Sequence, residues 1–442
     1  MADFERRGDR LELRLAAIAN RRVGRNRPPR DPLAVAFTQE CPVIGSGRFS
    51  ASLIFPGDGP PIEQGVLAVD DGIITDVFAG PDTGATPLGN VILLPGLVNA
   101  HTHLEFSTCT TPLPAENGMA AWIGDVVATR LLQADRGDSI RHGLDELVTA
   151  GTAAVGEIAT ADWPASRLTD TDPACVVFRE IIGLRSDRRT DGLATARDFL
   201  AGDSTPRHLL GLSPHAPYSV HPDLFMDLVR MAATHDVPLA THLAESPDEL
   251  ELLDTGGGPM RERLEALGAW ENSAIPHGSR PLDYLRPLSE LSHPLVIHGN
   301  LLGEEELIWL GRHRHVTIVY CPRTHSHFGH PPHPWARLLD SGTPVALGTD
   351  GRASNPDLSL WNELQFLARR TPSRPAQDML AMATLTAATA LGLEGQLGTL
   401  SPGKEATSLG IALPADTPVT LEAILKSGHP AGVLRQGNWY PA

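Results

Sequence analysis

The chain has 442 residues, 41% apolar and 20% charged, the proportions of a soluble globular protein large enough for one catalytic domain and a smaller accessory one. A formal charge of −17 argues against a nucleic-acid partner, whose phosphates it would repel, and no apolar run approaches the roughly 18 residues of a membrane span. Four scattered cysteines (Cys41, Cys109, Cys175 and Cys321) form no Cys-x-x-Cys pair, which argues against a thiolate zinc site and for a reducing cytoplasm.

Residues 1–45 read as a peripheral extension. An amphipathic helix is expected around Leu11–Ile18, followed by the Arg-rich run from Arg21 to Arg30, which has no core periodicity and no signal-peptide pattern. Residues 46–94 carry short apolar stretches between Gly, Asp and Pro turns, predicting strands at Ser50–Phe55, Gly65–Val69, Ile73–Phe78 and Asn90–Leu94. A similar pattern closes the chain over 392–442, with strands expected at Ser408–Leu413 and Val433–Tyr440; the two ends together predict one small β domain. Between them, residues 95–391 alternate strand and helix signals. Eight strands are expected, at Val98–Leu104, Ala153–Ile158, Cys175–Ile182, Leu209–Ser213, Pro238–His242, Leu295–His298, Val316–Cys321 and Val345–Thr349. Helices such as Asp223–Thr234, Glu304–His313 and Leu358–Arg369 lie between them, the pattern of a (β/α)8 barrel. A doubly wound sheet is disfavoured, because no glycine-rich phosphate loop follows an early strand.

Polar groups collect at the C-terminal ends of these strands, the face on which barrel enzymes build their sites. The first strand ends in Asn99-Ala100-His101-Thr102-His103-Leu104-Glu105, and side chains two apart on a strand point the same way, so His101 and His103 can chelate one ion. The fifth ends in His242, with Glu245 three residues on. The sixth ends in His298 and the eighth in Asp350. Any one such His is most often a hydrogen-bonded core residue; four strand ends bearing His or Asp together are not. Three imidazoles and a carboxylate suit a borderline cation, Zn2+ before Fe2+.

The run Pro95-Gly96-Leu97-Val98-Asn99-Ala100-His101-Thr102-His103, with His242, Glu245, His298 and Gly348-Thr349-Asp350, resembles the amidohydrolase superfamily. Ser213-Pro214-His215-Ala216-Pro217-Tyr218-Ser219 and Ser354-Asn355 are similar to its branch of purine, adenosyl and triazine aminohydrolases. The likeness runs from about residue 47 to the end. It implies a barrel with a β-sandwich made from both chain ends, one divalent metal on His101, His103, His242 and Asp350, and Glu245 as proton shuttle. It further implies that His298 orients the attacking water or the substrate, with Asp350 taking the water's proton, and that His215 contacts the substrate. The two-metal members bridge their ions with a carbamylated Lys after the fourth strand; here the two lysines are Lys404 and Lys426, which leaves the single-metal branch.

Hydrolytic deamination of a heteroaromatic, nucleoside-like small molecule follows as the expected reaction, by attack of a metal-activated hydroxide. Phe178-Arg179-Glu180-Ile181-Ile182-Gly183 and His103-Leu104-Glu105 resemble the aminodeoxyfutalosine deaminases. The alternatives are the same site releasing chloride from a triazine or opening a cyclic amide, and a metal-binding module without catalysis, against which the acid Glu245 argues. Glu105 and Asn355 are further substrate-contact candidates, and Glu157 and Glu180 are weighed evenly between pocket and structural roles. Arg323 stands where relatives often carry Ser-Asn near the seventh strand, and is expected to pair with a substrate anion or else to be structural. His325, His327, His330 and His333 form a His-rich loop, read as pocket lining or plain loop before a second metal. Thr407 replaces the usual Asp away from the site. A homodimer is left open.

Overall fold

A computed structural model describes residues 45–442, apart from 133–135, 161–162, 164–167, 206 and 416. The helix expected at Leu11–Ile18 and the Arg-rich run lie outside the described residues.

Both chain ends contribute to one mixed sheet. Its N-terminal strands are β1 (Gly47–Ile54), β2 (Ile62–Asp70), β3 (Ile73–Ala79), the short β4 (Thr86–Pro87) and β5 (Ile92–Pro95). Its C-terminal strands are β14 (Ser408–Ala412), β15 (His429–Arg435) and β16 (Asn438–Pro441). They lie in the order β16-β15-β14-β5-β1-β2-β3, with β4 against β1. The two halves meet where β5 pairs antiparallel with β14, Ile92 opposite Ile411 and Pro95 opposite Ser408.

Val433–Tyr440, expected as one strand, is a hairpin. Arg435 pairs with Asn438 across the two-residue turn Gln436-Gly437, whose φ values of 47° and 76° turn the chain back on itself. Glycine supplies one left-handed residue readily, and Gln436 takes the other without the usual Asn or Asp signal. The Asp71-Gly72 turn between β2 and β3 works the same way, with φ of 52° and 73°.

Directly after β5 come eight parallel strands: β6 (Leu97–Thr102), β7 (Thr152–Ala159), β8 (Ala174–Ile181), β9 (His208–Pro214), β10 (Leu239–Leu243), β11 (Pro294–His298), β12 (Thr317–Tyr320) and β13 (Val345–Leu347). Each pairs with its neighbour in chain order from β6 to β13. All eight fall where the sequence predicts them. The first and last strands are tied at their C-terminal ends, where the N–H groups of Thr349 and Asp350 both donate to the His101 carbonyl at 3.2 and 3.1 Å. The barrel therefore closes at the residues that carry its polar groups.

One apolar cluster draws on the barrel strands, including Val98, Ile158, Phe178, Ala240, Ile297 and Val319, and fills the interior beneath that polar end. A larger cluster seals strands to the outer helices. There Leu224 and Leu228 of the helix Pro222–His235, Leu310 of Glu304–Arg312 and Leu364 of Leu360–Arg370 pack with Leu239, Val296 and Val345. The apolar spacing of these helices is what predicts them, and their buried stripe is what holds them. Among the described residues no helix is long and apolar enough to cross a membrane.

Candidate metal centre and active site

Four strand ends, those of β6, β10, β11 and β13, converge at the polar rim of the barrel. His101 is fully buried, His242 and His298 are buried, and Asp350 closes the ring from β13. His101 Nε2 lies 3.4 Å and His103 Nε2 3.7 Å from Asp350 Oδ1, and His103 Nε2 faces His242 Nε2 at 3.3 Å. Among the described residues neither ring nitrogen of His101 has a hydrogen-bond partner, although both are buried. Orphaned buried nitrogens are costly, and two imidazole nitrogens aimed at each other need something between them. Two triads of ligand atoms lie within 4.8 Å of one another, His101–His103–Asp350 and His101–His242–His298. The donor set could therefore hold one divalent cation, and nitrogen with a single carboxylate fits a borderline metal.

Protonation supports this. Burial, and then the neighbouring imidazoles, push His101 and His103 well below the usual imidazole range. Burial followed by His215 brings His242 down to about 4. Neutral imidazoles keep a lone pair to offer. His242 Nδ1 donates to the His215 carbonyl at 3.0 Å, which turns its Nε2 lone pair toward the centre.

Strain marks the same rim. Ala244, His298 and Asp350 hold φ of 53°, 69° and 56°, a left-handed conformation non-glycine residues seldom adopt. Each is clamped. Glu249 accepts from the N–H groups of Ala244 and Glu245 at 2.9 and 2.8 Å, and Asn300 donates to the Glu245 carbonyl at 3.0 Å. His333 Nε2 donates to the His298 carbonyl at 2.8 Å. Ser354 donates to Asp350 Oδ2 at 2.5 Å, which leaves Oδ1 facing the imidazoles. Glycines on both sides let this loop approach the first strand: a Cβ on Gly348 would sit 2.9 Å from His101 Cβ, and one on Gly351 would sit 3.0 Å from His103 Cβ.

Beside this centre opens a cleft of about 220 Å3, whose lining includes His103, His215, His242, Glu245, His298 and Asp350. Its other wall is apolar, built from Trp122, Ile123 and Val126 of the helix Met119–Leu132 with Leu264 and Leu267. Glu245 Oε1 lies 3.1 Å from His298 Nε2 at its floor. Burial, then Asp350 and Glu249, push the Glu245 carboxyl well above the usual range. His215 also lines the cleft, its Nδ1 2.6 Å from the Ser219 hydroxyl, and burial followed by Arg130 brings it down to about 3.

Three expected substrate contacts sit elsewhere. Glu105 is buried against Arg130, with Oε1 2.5 Å and Oε2 3.1 Å from the guanidinium. Arg130, with Glu180, lines the cleft in its place. Asn355 is fully buried and donates to the Thr349 carbonyl and to Glu363 Oε1, holding the loop behind Asp350. Arg323 does not line the cleft. Its fork is filled by Glu363 at 2.6 Å and Asp357 at 2.7 and 2.8 Å. Arg323→Ala should accordingly act on stability, because it strands the fully buried Glu363 without its cation, a change worth about 3–5 kcal/mol. Thermal unfolding should show the loss; a selective rise in KM for anionic substrates with no change in melting temperature would contradict it.

The remaining candidates are structural. Glu157 accepts from Thr102 Oγ1 at 2.6 Å and from the Leu104 N–H, fixing the chain around His103. In the His-rich loop, His325, His327 and His333 cap the carbonyls of Pro331, Leu113 and His298, and among the described residues no candidate metal group includes them. The cleft walls on Met119–Leu132, Arg130 among them, were not legible as site residues. The one signal was a lone charged residue, Arg130, in the stretch Val126–Leu132.

Residues 92–440 match the Amidohydrolase family. A 5-methylthioadenosine/S-adenosylhomocysteine deaminase of Moorella thermoacetica is 29% identical over 378 residues, 80% of this chain and 82% of the relative. An aminodeoxyfutalosine deaminase of Deinococcus radiodurans is 31% identical over 306 residues, 64% of this chain and 69% of the relative. Among solved structures, an adenosine deaminase from Xanthomonas campestris with bound zinc superposes with a TM-score of 0.73 at 23% identity, covering 89% of this chain and 92% of that one.

Proposed function

This chain belongs to the amidohydrolase family, and from that premise we propose that it is a single-metal hydrolytic deaminase of a nucleoside-like heteroaromatic amine. The observation that carries the reading is the meeting of two things at one cleft: a ring of neutral imidazoles around one carboxylate, and a buried acid, Glu245, 3.1 Å from His298. A purely structural metal site has no use for that acid. The relatives named above as deaminases of adenosyl compounds support the leaving group and the ring.

His101, His103, His242 and Asp350 would hold the cation, with Zn2+ preferred on donor chemistry and by likeness to the zinc-bound deaminase. Bound there, it supplies Lewis acidity and a water of lowered pKa. Asp350 is placed to take a proton from the attacking water at Oδ1, since Ser354 occupies Oδ2. Glu245, whose carboxyl burial pushes well above the usual range, gives a proton to the ring nitrogen; the proton taken by Asp350 then goes to the amine, which leaves as ammonia, while the added hydroxyl returns its proton to Glu245 and becomes the ring carbonyl. His298 faces Glu245 and can stabilise charge developing at the tetrahedral carbon. His215, beside His242, contacts the ring or its sugar. Trp122, Ile123 and Val126 exclude bulk water from that proton traffic. A cytoplasmic setting suits the free thiols of Cys109, Cys175 and Cys321.

The test is ammonia release by the zinc-loaded protein from a panel of adenine nucleosides, aminopurines, pterins and aminotriazines. Turnover of adenine nucleosides is the expected result. Chloride from a chlorotriazine or ring opening of a cyclic amide, with no ammonia from any amine, would replace this reading with another reaction at the same site. Metal binding with no turnover at all would reduce the chain to a binding module.

A further inference from the structure

At the floor of the barrel, the end opposite the reaction centre, arginines meet the loops that lead into the strands. Arg207 donates through Nη1 to both oxygens of Glu405 at 3.0 and 3.1 Å, and through Nη2 to the Asp172 carbonyl at 2.5 Å. Arg141 holds the Asp172 carboxylate at 2.5 and 2.8 Å. Each of these two guanidiniums faces a carboxylate. Arg435 does not. It ends β15, and its side chain runs across to the start of β7, where Nη2 lies 3.4 Å from the Thr152 carbonyl. Only 5% of the residue is exposed, yet Nε and Nη1 have no hydrogen-bond partner among the described residues. The carboxylates that act on it through space, Asp172 and Glu405, are already paired with Arg141 and Arg207. Burial, and then the nearby Arg207, bring its pKa down to about 10, which still leaves a cation at neutral pH. A buried charge without a partner is among the costliest arrangements a fold can hold.

Thr152 repeats the pattern on the residue that Arg435 touches. It is fully buried, and its Oγ1 has no hydrogen-bond partner among the described residues. The surroundings are apolar. Val433, two residues before Arg435 and on the same face of β15, is buried, as is Leu409, which pairs opposite it on β14. A Cβ on Gly151 would meet the Leu409 side chain at 2.7 Å, so this apolar wall reaches the residue before Thr152. These features select an occupant. The guanidinium calls for one negative charge. Two donor side chains in an apolar wall cannot satisfy the oxygens of phosphate or sulfate, whose second charge would add its own desolvation cost. An organic acid would need an opening that these buried residues do not offer. A small spherical anion needs few donors and no particular orientation.

We propose that Arg435 and Thr152 bind one small monovalent anion of the halide class, such as chloride, and that this ion fastens the terminal β domain to the floor of the barrel. The site is independent of the deaminase reading. Thr152 begins its strand, whereas the metal ligands lie at or just beyond the ends of theirs, so the ion acts on the stability of the fold and not on the reacting groups.

The experiment follows thermal unfolding of the full-length zinc-loaded protein in sodium chloride and in sodium gluconate at matched ionic strength. An ion bound only by the folded chain raises the melting temperature, and roughly 2–4 °C is expected in chloride at a hundredfold excess over its dissociation constant. Arg435→Met should abolish this response. In gluconate it should melt no lower than the parent, since an apolar side chain then replaces an unpaired buried charge. Thr152→Val keeps the shape, loses the hydroxyl donor, and should raise the chloride midpoint by roughly 10–100-fold. Parent crystals grown in bromide should show anomalous density against the Arg435 guanidinium, a readout that needs no variant. Should Arg435→Met fail to fold, Thr152→Val and the bromide density decide. Equal melting temperatures in the two salts for the parent would overturn the proposal. So would a chloride response that survives Arg435→Met, which would place the ion elsewhere, or one unchanged in Thr152→Val. A larger Arg435-dependent response to sulfate or phosphate than to chloride would overturn the halide assignment. Bromide at Arg435 with no chloride effect on melting would be binding at crystal concentration only, and would overturn it as well.

Discussion

Glu245→Gln should leave a folded, metal-loaded protein whose kcat has fallen by roughly 10²–10⁴-fold. Several features concentrate the effect on the proton. The side chain is buried, and its backbone is held by Glu249 on one side and Asn300 on the other. An amide of the same shape should therefore sit where the carboxyl sat. Burial, reinforced by Asp350 and Glu249, pushes the Glu245 carboxyl well above the usual carboxylate range, which favours the protonated form that can donate. Gln can hydrogen-bond to a ring nitrogen but cannot release a proton to it or collect one from water. KM should change little, because the ring contacts from His215 and the apolar wall remain. Ammonia-coupled kinetics beside metal analysis provide the check. A variant within about tenfold of the parent kcat would remove Glu245 from the proton path, since general acid–base terms are seldom that small.

The parts of this site that could be read in advance are those set by short-range periodicity. His101 and His103 share one face because they are two apart on a strand, and their strand is recognisable from its apolar run and the turn before it. The same holds for His242, His298 and Asp350, each ending a strand that the sequence delimits. What escaped depends on which distant chain segments meet. Arg323 could have reached the cleft; it does not, because Glu363, 40 residues on, presents a buried carboxylate from the helix Leu360–Arg370, and Asp357 fills the rest of the fork. Arg130 was invisible for the converse reason. Its partners Glu105 and Glu180 come from the ends of two different strands, and only the closed barrel brings them to one helix. Glu249 illustrates a third case. Ser246-Pro247-Asp248-Glu249 has the spacing of a helix-capping box, and Ser246 does cap that helix by accepting from the Glu249 N–H. The Glu249 carboxylate also accepts from the N–H groups of Ala244 and Glu245, stabilising a strained turn at the reaction centre. The spacing announces a helix start and is silent on that second use.

His101→Ala and Asp350→Ala should each abolish stable metal binding and, with it, turnover. About one equivalent of zinc per chain is expected for the parent protein, from four donors of the type that a catalytic zinc takes. His101 is the most demanding of them. It is fully buried, belongs to both candidate triads, and among the described residues its ring nitrogens have no hydrogen-bond partner. Its removal leaves a gap where a ligand stood, and three donors, His103, His242 and Asp350, in place of four. Asp350 supplies the single formal negative charge of the set; without it the cation would face neutral imidazoles alone. A graded control comes from Ser354, which touches Asp350 Oδ2 without belonging to the donor set. Ser354→Ala should weaken metal affinity by roughly 10–100-fold, the usual cost of losing a group that orients a ligand, while still allowing full loading at excess zinc. The expected order of zinc retention during dialysis against a chelator is thus parent, then Ser354→Ala, then the two ligand variants. The same order should appear in thermal stability, because an ion bound only by the folded chain stabilises it in proportion to its affinity. Parent-like zinc content in both His101→Ala and Asp350→Ala would mean that the cation sits elsewhere, and the assignment of these four ligands would fall.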